Sequence, residues 1–337
     1  MNRNDFEMLA NNVVYFDNGA TTLKPKCVKE AICKYTEYTA NAHRGDYKNS
    51  AIVDSLYEGT REKVKNFIDA KETSEIVFTS GTTNGMNMIV SGFFRNYLKK
   101  DDEVLITLSE HASNIIPWFI LQKEIGIKVK YIPLNEQHEV TVENFKNSIT
   151  DKTKVVSLAY VTNVIGDERP IKEISKIAHD NNIFVVVDGA QMVPHLKTDV
   201  QDLDIDFLAF SGHKMYGPTG IGVLYAKFDL LDKITPMNYG GGMNAMFTKD
   251  GYVELREIPT RLEGGTPNIE GVLGLGEAIS YLENIGMDKI NEYEKNLRKY
   301  LINELNKIDF IEVYNKNNDT NIVAFNIKGV FAQDAAI

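Results

Sequence analysis

Two short apolar runs, each ending on a group that can do chemistry, constrain this chain more than any other feature. Ile183-Phe-Val-Val-Val187 stops on Asp188, and Gly-Ala-Gln191 follows. Phe207-Leu-Ala-Phe210 leads into Ser211-Gly-His213-Lys214. Short runs that are apolar throughout suit strands buried on both faces of a parallel sheet. In such sheets ligands gather outside the carboxyl ends of the strands. An acid and an amine are therefore offered on one rim, 26 positions apart in the chain.

The surrounding pattern agrees. From Thr73 to Tyr225 strand-like and helix-like segments alternate. Strands are expected at Glu75–Phe78, Glu103–Thr107, Lys128–Ile132, Lys154–Ala159, Ile183–Val187, Phe207–Phe210 and Gly222–Tyr225. Helical stretches such as Val142–Asn147 and Ile171–Asn181 lie between most of them. This predicts an α/β fold, a mainly parallel seven-stranded sheet between helices. The last two strands are joined by a Gly-rich loop too short for a helical crossover, so an antiparallel strand is expected there. Helices are expected at Pro25–Ala40 and Ser50–Ile68, around the polar loop Asn41-Ala-His43-Arg44-Gly-Asp. Beyond the Gly-rich Asn238–Met243 loop come Arg261-Leu-Glu-Gly-Gly265-Thr266-Pro-Asn268, a helix from Ile269, a helix ending in Leu301–Ile308 and a strand at Asn321–Phe325. The tail thus switches to an α+β pattern. The expected division is a large domain over 21–262 and a smaller one made of 1–20 and 263–337.

A third element bears on chemistry. Ser80-Gly81-Thr82-Thr83-Asn84 follows an expected strand and opens an amphipathic stretch running to Tyr97. A helix N-terminus presents free N–H groups and a positive dipole end, which suits a phosphate as well as an ordinary cap. The Gly-Lys-Ser/Thr ending of a nucleotide P-loop is absent. Alone, Lys214 reads as a solvated charge and Asp188 as a helix cap. Together, downstream of this loop, they fit pyridoxal phosphate. A lysine holds the aldehyde, and an acid keeps the pyridine nitrogen protonated so the ring can accept electrons.

The 337 residues carry a net charge of −10 and no basic cluster, which argues against nucleic acid as a partner. No apolar run approaches the ~20 residues of a membrane helix. The first residues lack a signal-peptide pattern, so a cytoplasmic location is expected. The two cysteines, Cys27 and Cys33, fall on one expected helix. There they lie about 9 Å apart along the axis, beyond disulfide reach. The six histidines are scattered, and no spacing suggests a metal site.

The chain resembles the class V aminotransferases of the fold-type I pyridoxal-phosphate group, and within them the group II cysteine desulfurase/selenocysteine lyase family. The matching stretches include Tyr15-Phe-Asp-Asn-Gly-Ala-Thr-Thr22, His43-Arg-Gly45, Ser80-Gly-Thr-Thr83, Glu110-His111, Asn114-Ile-Ile-Pro-Trp118, Asn163-Val-Ile-Gly166, Val187-Asp-Gly-Ala-Gln191, Ser211-Gly-His-Lys-Met-Tyr-Gly-Pro-Thr-Gly220 and Gly265-Thr-Pro-Asn268. The resemblance implies roles. Lys214 matches the Schiff-base lysine, Asp188 the partner of the pyridinium nitrogen, and His111 the imidazole stacked on the ring. Asn163 and Gln191 match groups near the phenolic oxygen. Thr82, Thr83, Ser211 and His213 match phosphate ligands. Thr266 matches a phosphate contact supplied by a second subunit, which implies a homodimer. Ala20, His43, Arg44 and Arg261 are candidate contacts for an amino-acid substrate. In the family, cysteine yields alanine and an enzyme-bound sulfur. A sulfur-acceptor protein then takes that sulfur, a step toward iron-sulfur cluster assembly.

One departure goes with these matches. The family's nucleophilic cysteine and its carboxylate-clamping arginine lie some tens of residues beyond the stretch that Phe331–Ile337 resembles. Cys27 and Cys33 match neither position. The expectation is cofactor binding, with the nucleophile segment and part of the small domain lacking from this chain. Competing expectations are a class V lyase or aminotransferase that needs no cysteine, and a non-catalytic cofactor-binding remnant.

Overall fold

The computed structural model describes residues 2–316 and 318–337. Its centre is a seven-stranded sheet of β1 (Ile76–Thr79), β2 (Glu103–Ile106), β3 (Lys128–Tyr131), β4 (Thr153–Ala159), β5 (Phe184–Asp188), β6 (Phe207–Ser211) and β7 (Gly222–Ala226). The spatial order is β1-β7-β6-β5-β4-β2-β3. Neighbours from β6 to β3 pair in parallel, whereas β7 is antiparallel to both β6 and β1. Six strands therefore share one direction and β7 opposes them, as the short Gly-rich β6–β7 connection requires.

Each of the seven strands expected in the central sheet appears within a residue or so of its expected bounds. Every residue of β1, β6 and β7 is buried, and so is all of β5 after Phe184. Two apolar layers cover the sheet. One face packs on Val53, Tyr57 and Val64, with Val272, Leu275 and Ile279 joining it. The other packs on Met86, Ile89, Phe93, Phe94 and Trp118. The first layer draws on α2 (Lys48–Phe67) and the long helix at Ile269–Ile285, against which α1 (Lys26–Lys34) packs in turn. The second comes mainly from a continuous helical run, α3 (Thr82–Asn87), a π-helical stretch at Met88–Phe94, then α4 (Arg95–Tyr97), with Trp118 added from the helix that follows β2. The expected 82–97 helix is therefore present, widened in its middle.

The remaining helices are α5 (Ile116–Ile125), α6 (Val142–Ser148), α7 (Ile171–Asp180), α8 (Phe228–Leu231), α9 (Ile269–Ile285), α10 (Met287–Leu305) and α11 (Ala332–Ala336). Two small antiparallel ribbons complete the fold, β8 (Asn244–Phe247) with β9 (Val253–Leu255) and β10 (Ile311–Val313) with β11 (Phe325–Ile327). The strand expected at Asn321–Phe325 begins only at its last residue. The cause is Arg298, which donates from Nε to the carbonyl of Asn318 (2.7 Å) and also to those of Asn315 and Ile322. The carbonyls of Asn315, Asn318 and Ile322 are turned onto the guanidinium instead of entering a strand ladder. Among the described residues no helix is long and apolar enough to cross a membrane.

Candidate functional site

A cavity of about 350 Å³ opens at the carboxyl ends of β4, β5 and β6. Asp188 is the last residue of β5, and Ser211 the last of β6. Lys214 follows within the 3₁₀ turn Gly212–Lys214. The cavity is lined by Ala20, Thr82, Thr83, His111, Asn163, Asp188, Gln191, Ser211, His213 and Lys214, with Gly19, Ser113, Ala159, Val161 and Ala190 between them. The acid, the amine and the hydroxyl loop of the sequence argument thus meet in one place.

The floor of the site is an unbalanced set of charges. Asp188 is 4% exposed and accepts one hydrogen bond, from the Ala190 N–H at 2.9 Å. Among the described residues it forms no ion pair. Burial pushes its carboxyl above the usual aspartate range, a rise that the Ala190 N–H partly offsets. Burial likewise pushes the Lys214 amine down, against the attraction of Asp188. His213 is lowered by burial and by the neighbouring Lys214 and Lys24. Asp188, Lys214 and His213 are thus each held away from their comfortable charge states. A ligand carrying a cation near Asp188 and an anion near His213 would relieve them.

The hydroxyl side is pre-formed. Ser211 Oγ accepts from the Thr82 N–H at 2.7 Å and lies 2.6 Å from Thr82 Oγ1. Gly81, at φ +144°, makes the turn into α3 that brings them together. Thr83 Oγ1 lies 2.6 Å from Ser113 Oγ, and the Ser113 N–H donates to His111 Nδ1 at 3.1 Å. That bond makes Nδ1 an acceptor and leaves the neutral ring's proton on Nε2. Gln191 donates from Nε2 to the Gly19 carbonyl at 2.7 Å, while its buried Oε1 has no partner among the described residues. A buried acceptor left open beside a cavity is a vacancy for a ligand's donor.

These residues fit pyridoxal phosphate. The site offers an amine, an uncompensated buried acid for a pyridine nitrogen, an open amide oxygen, and a hydroxyl group cluster with His213 for the phosphate.

Four of the residues singled out from the sequence lie elsewhere. Thr266 is exposed, accepts from Asn41 Nδ2 at 3.4 Å, and borders a separate cavity of about 230 Å³ with Ser80, Asn84 and Asn268. Arg44 donates to the carbonyls of Gly241 (3.0 Å) and Gly265 (2.6 Å), stitching its loop to two glycine-rich segments. His43 Nε2 lies 3.0 Å from Glu58 Oε1, and this contact raises its pKa. Arg261 donates to Asp232, through Oδ1 at 2.8 Å and through the carbonyl.

Ser113 and Arg169 carried no sequence signal, and Glu110 entered only through the Glu110-His111 match. Ser113 links Thr83 to His111. Beneath them Glu110 and Arg169, both side chains fully buried, form an ion pair. Glu110 also accepts from Thr107 Oγ1 (2.8 Å), Asn114 Nδ2 (2.8 Å) and the Ala159 N–H (2.7 Å). Neither cysteine lines the cavity. Cys27 sits on α1, and burial and Glu277 push its thiol up, away from the reactive thiolate. Cys33 is exposed.

The sheet topology and this rim define the class: a pyridoxal-phosphate fold of type I. Residues 14–337 match the aminotransferase class-V family. The chain is 43% identical over 333 residues to a probable cysteine desulfurase of Halalkalibacterium halodurans, covering 98% of this chain and 82% of that protein. It is 40% identical to a cysteine desulfurase of Wigglesworthia glossinidia brevipalpis, covering 99% and 83%. The apo cysteine desulfurase of Thermococcus onnurineus NA1 superposes with a TM-score of 0.94 at 38% identity, over 99% of this chain and 83% of that one. The Escherichia coli cysteine desulfurase CsdA, in an S-sulfonic acid form, gives 0.91 at 36% identity, over 98% and 83%. The chain belongs to the cysteine desulfurases of the class V aminotransferase family.

Proposed function

We propose that this chain holds pyridoxal phosphate on Lys214 and acts on the α-carbon of cysteine, releasing alanine while the substrate's sulfur passes, as a persulfide, to an acceptor thiolate that neither Cys27 nor Cys33 supplies. The observation that carries the reading is the pairing of Lys214 with a buried, uncompensated Asp188 on the wall of one cavity. Family membership supports the choice of substrate.

Bound there, pyridoxal phosphate supplies an electron-accepting ring that lets bonds at a substrate's α-carbon break. The protein's residues do the rest. Asp188 holds a proton on the pyridine nitrogen, because a cation opposite it relieves the cost of burying its charge. Lys214 would hold the cofactor's aldehyde carbon and, as a free amine, would move a proton at the substrate's α-carbon. Its desolvation favours the neutral amine that both tasks require. Thr82, Thr83, Ser211 and His213 hold the phosphate. Asn163 and the open Oε1 of Gln191 would hold the ring oxygen, and His111, oriented by Ser113, would be the imidazole beside the ring. Ala20 borders the space left for substrate. His43, Arg44 and Arg261 belong to loops that contact substrate only after rearranging their present bonds.

The functional unit in this reading is a cytoplasmic homodimer, with Thr266 of one subunit reaching the phosphate held by its neighbour. A sulfur-acceptor protein is the downstream partner. Thr266 is exposed and lies outside its own chain's Lys214 cavity, which supports a role toward a second copy. Sedimentation of cofactor-loaded protein as a monomer would contradict that arrangement. The reading as a whole is tested by Lys214→Ala. The variant should stay folded and lose the visible absorption of the lysine-bound cofactor. An unchanged spectrum would refute it.

A further inference from the structure

Lys214 sits in a single 3₁₀ turn, and such a turn has little stiffness of its own. What fixes it comes from nearly 200 residues away. The segment 17–24 runs past the turn and meets it at Thr22, which is 4% exposed. The Thr22 N–H donates to the His213 carbonyl at 2.9 Å. Thr22 Oγ1 donates to the same carbonyl at 3.0 Å and accepts from the Tyr216 N–H at 2.8 Å. One hydroxyl therefore bridges the residue before Lys214 and the second residue after it. Thr21 Oγ1 (3.2 Å) and Lys24 Nζ (3.2 Å) also approach the His213 carbonyl.

The same segment forms part of the cavity. Gly19 and Ala20 line it, and the Gly19 carbonyl receives Gln191 Nε2 at 2.7 Å. The chain 17–24 is thus pinned at both ends of the site, at Gln191 on one wall and at the lysine turn on the other. A methyl group in place of the Thr22 hydroxyl keeps the volume but removes the acceptor that Thr22 gives the Tyr216 N–H and one donor to the His213 carbonyl.

We infer that Thr22 is a positioning residue: its hydroxyl locks the turn that aims Lys214, and it ties that turn to the Gly19–Ala20 wall. This rests on the reading that Lys214 carries the cofactor. The charged groups around the turn are Lys24, His213, Asp188 and Lys214 itself, and all four are unchanged by replacing Thr22.

The experiment compares Thr22→Val, Thr22→Ala and Thr22→Ser with the unaltered protein, all loaded with pyridoxal phosphate. Three quantities are read: the pH midpoint of the cofactor's visible band, the rate of α-hydrogen exchange on alanine in heavy water, and the melting temperature. Valine and alanine should move the midpoint by about one pH unit, a tenfold change in the proton equilibrium. They should slow exchange by roughly 10- to 100-fold, as a misaimed group does. Serine should restore both to within about twofold, because it keeps the bridging hydroxyl. A valine or alanine variant with the original midpoint and exchange rate would overturn the inference. So would loss of fold in both valine and alanine variants, which would make Thr22 a stability residue only. Borohydride trapping of the unaltered protein separates the two levels: an adduct away from Lys214 defeats the functional reading, whereas an adduct on Lys214 with unresponsive Thr22 variants defeats only this inference.

Discussion

Asp188→Asn should stabilise the protein without its cofactor and impair the protein with it. The carboxylate is buried, with one neutral donor and no ion pair among the described residues. The asparagine keeps the Ala190 bond through Oδ1 and removes the charge. A buried polar group short of partners costs ~1–3 kcal/mol, and a charged one costs more. We therefore expect the stripped variant to gain about 1–2 kcal/mol at pH 8. The pH dependence follows from the direction of the shift. Burial raises the folded carboxyl above its unfolded value. Between those two values the folded state binds more protons, so stability falls as pH rises through that window. The variant's advantage should be full above it and should close toward pH ~4, near the unfolded aspartate value. Urea unfolding of stripped protein across that range measures this directly. With saturating pyridoxal phosphate the order should reverse, because weaker cofactor affinity gives a smaller linkage contribution. A stripped variant that is less stable by the same amount at pH 4 and pH 8 would refute the reasoning and make Asp188 a structural cap.

Two further outcomes are expected. Arg169→Met should cost ~3–5 kcal/mol in urea unfolding, because it leaves the fully buried Glu110 carboxylate without its cation; a change below about 1 kcal/mol would show that Glu110 simply takes up a proton. Cys27→Ser and Cys33→Ser should leave any sulfide and alanine release from cysteine within about twofold, since proximity catalysis needs a thiolate at the substrate and neither residue lines the cavity; abolition by either change would identify it as the nucleophile.

The sequence carries the central sheet in its local patterns. A five-residue apolar run needs no distant information to be read as a buried strand, and the end of that run places Asp188 on the rim. The antiparallel β7 was equally legible, because a short glycine-rich loop cannot hold a crossover helix. Legibility fails where a residue's role is set by partners far along the chain. Glu110 and Arg169 are 59 positions apart, and neither spacing nor composition pairs them. Ser113 gains its meaning only from Thr83, 30 positions earlier. The strand expected at Asn321–Phe325 fails for a similar reason, since one buried arginine from α10 outcompetes a local apolar preference.

The central claim is that Lys214 is the residue that holds pyridoxal phosphate. The measurement that tests it most directly is borohydride reduction of the cofactor-loaded protein followed by peptide mapping. The account predicts one phosphopyridoxyl adduct, on the peptide carrying Ser211-Gly-His213-Lys214. An adduct on Lys24 or on any other lysine, with Lys214 unmodified, would contradict it.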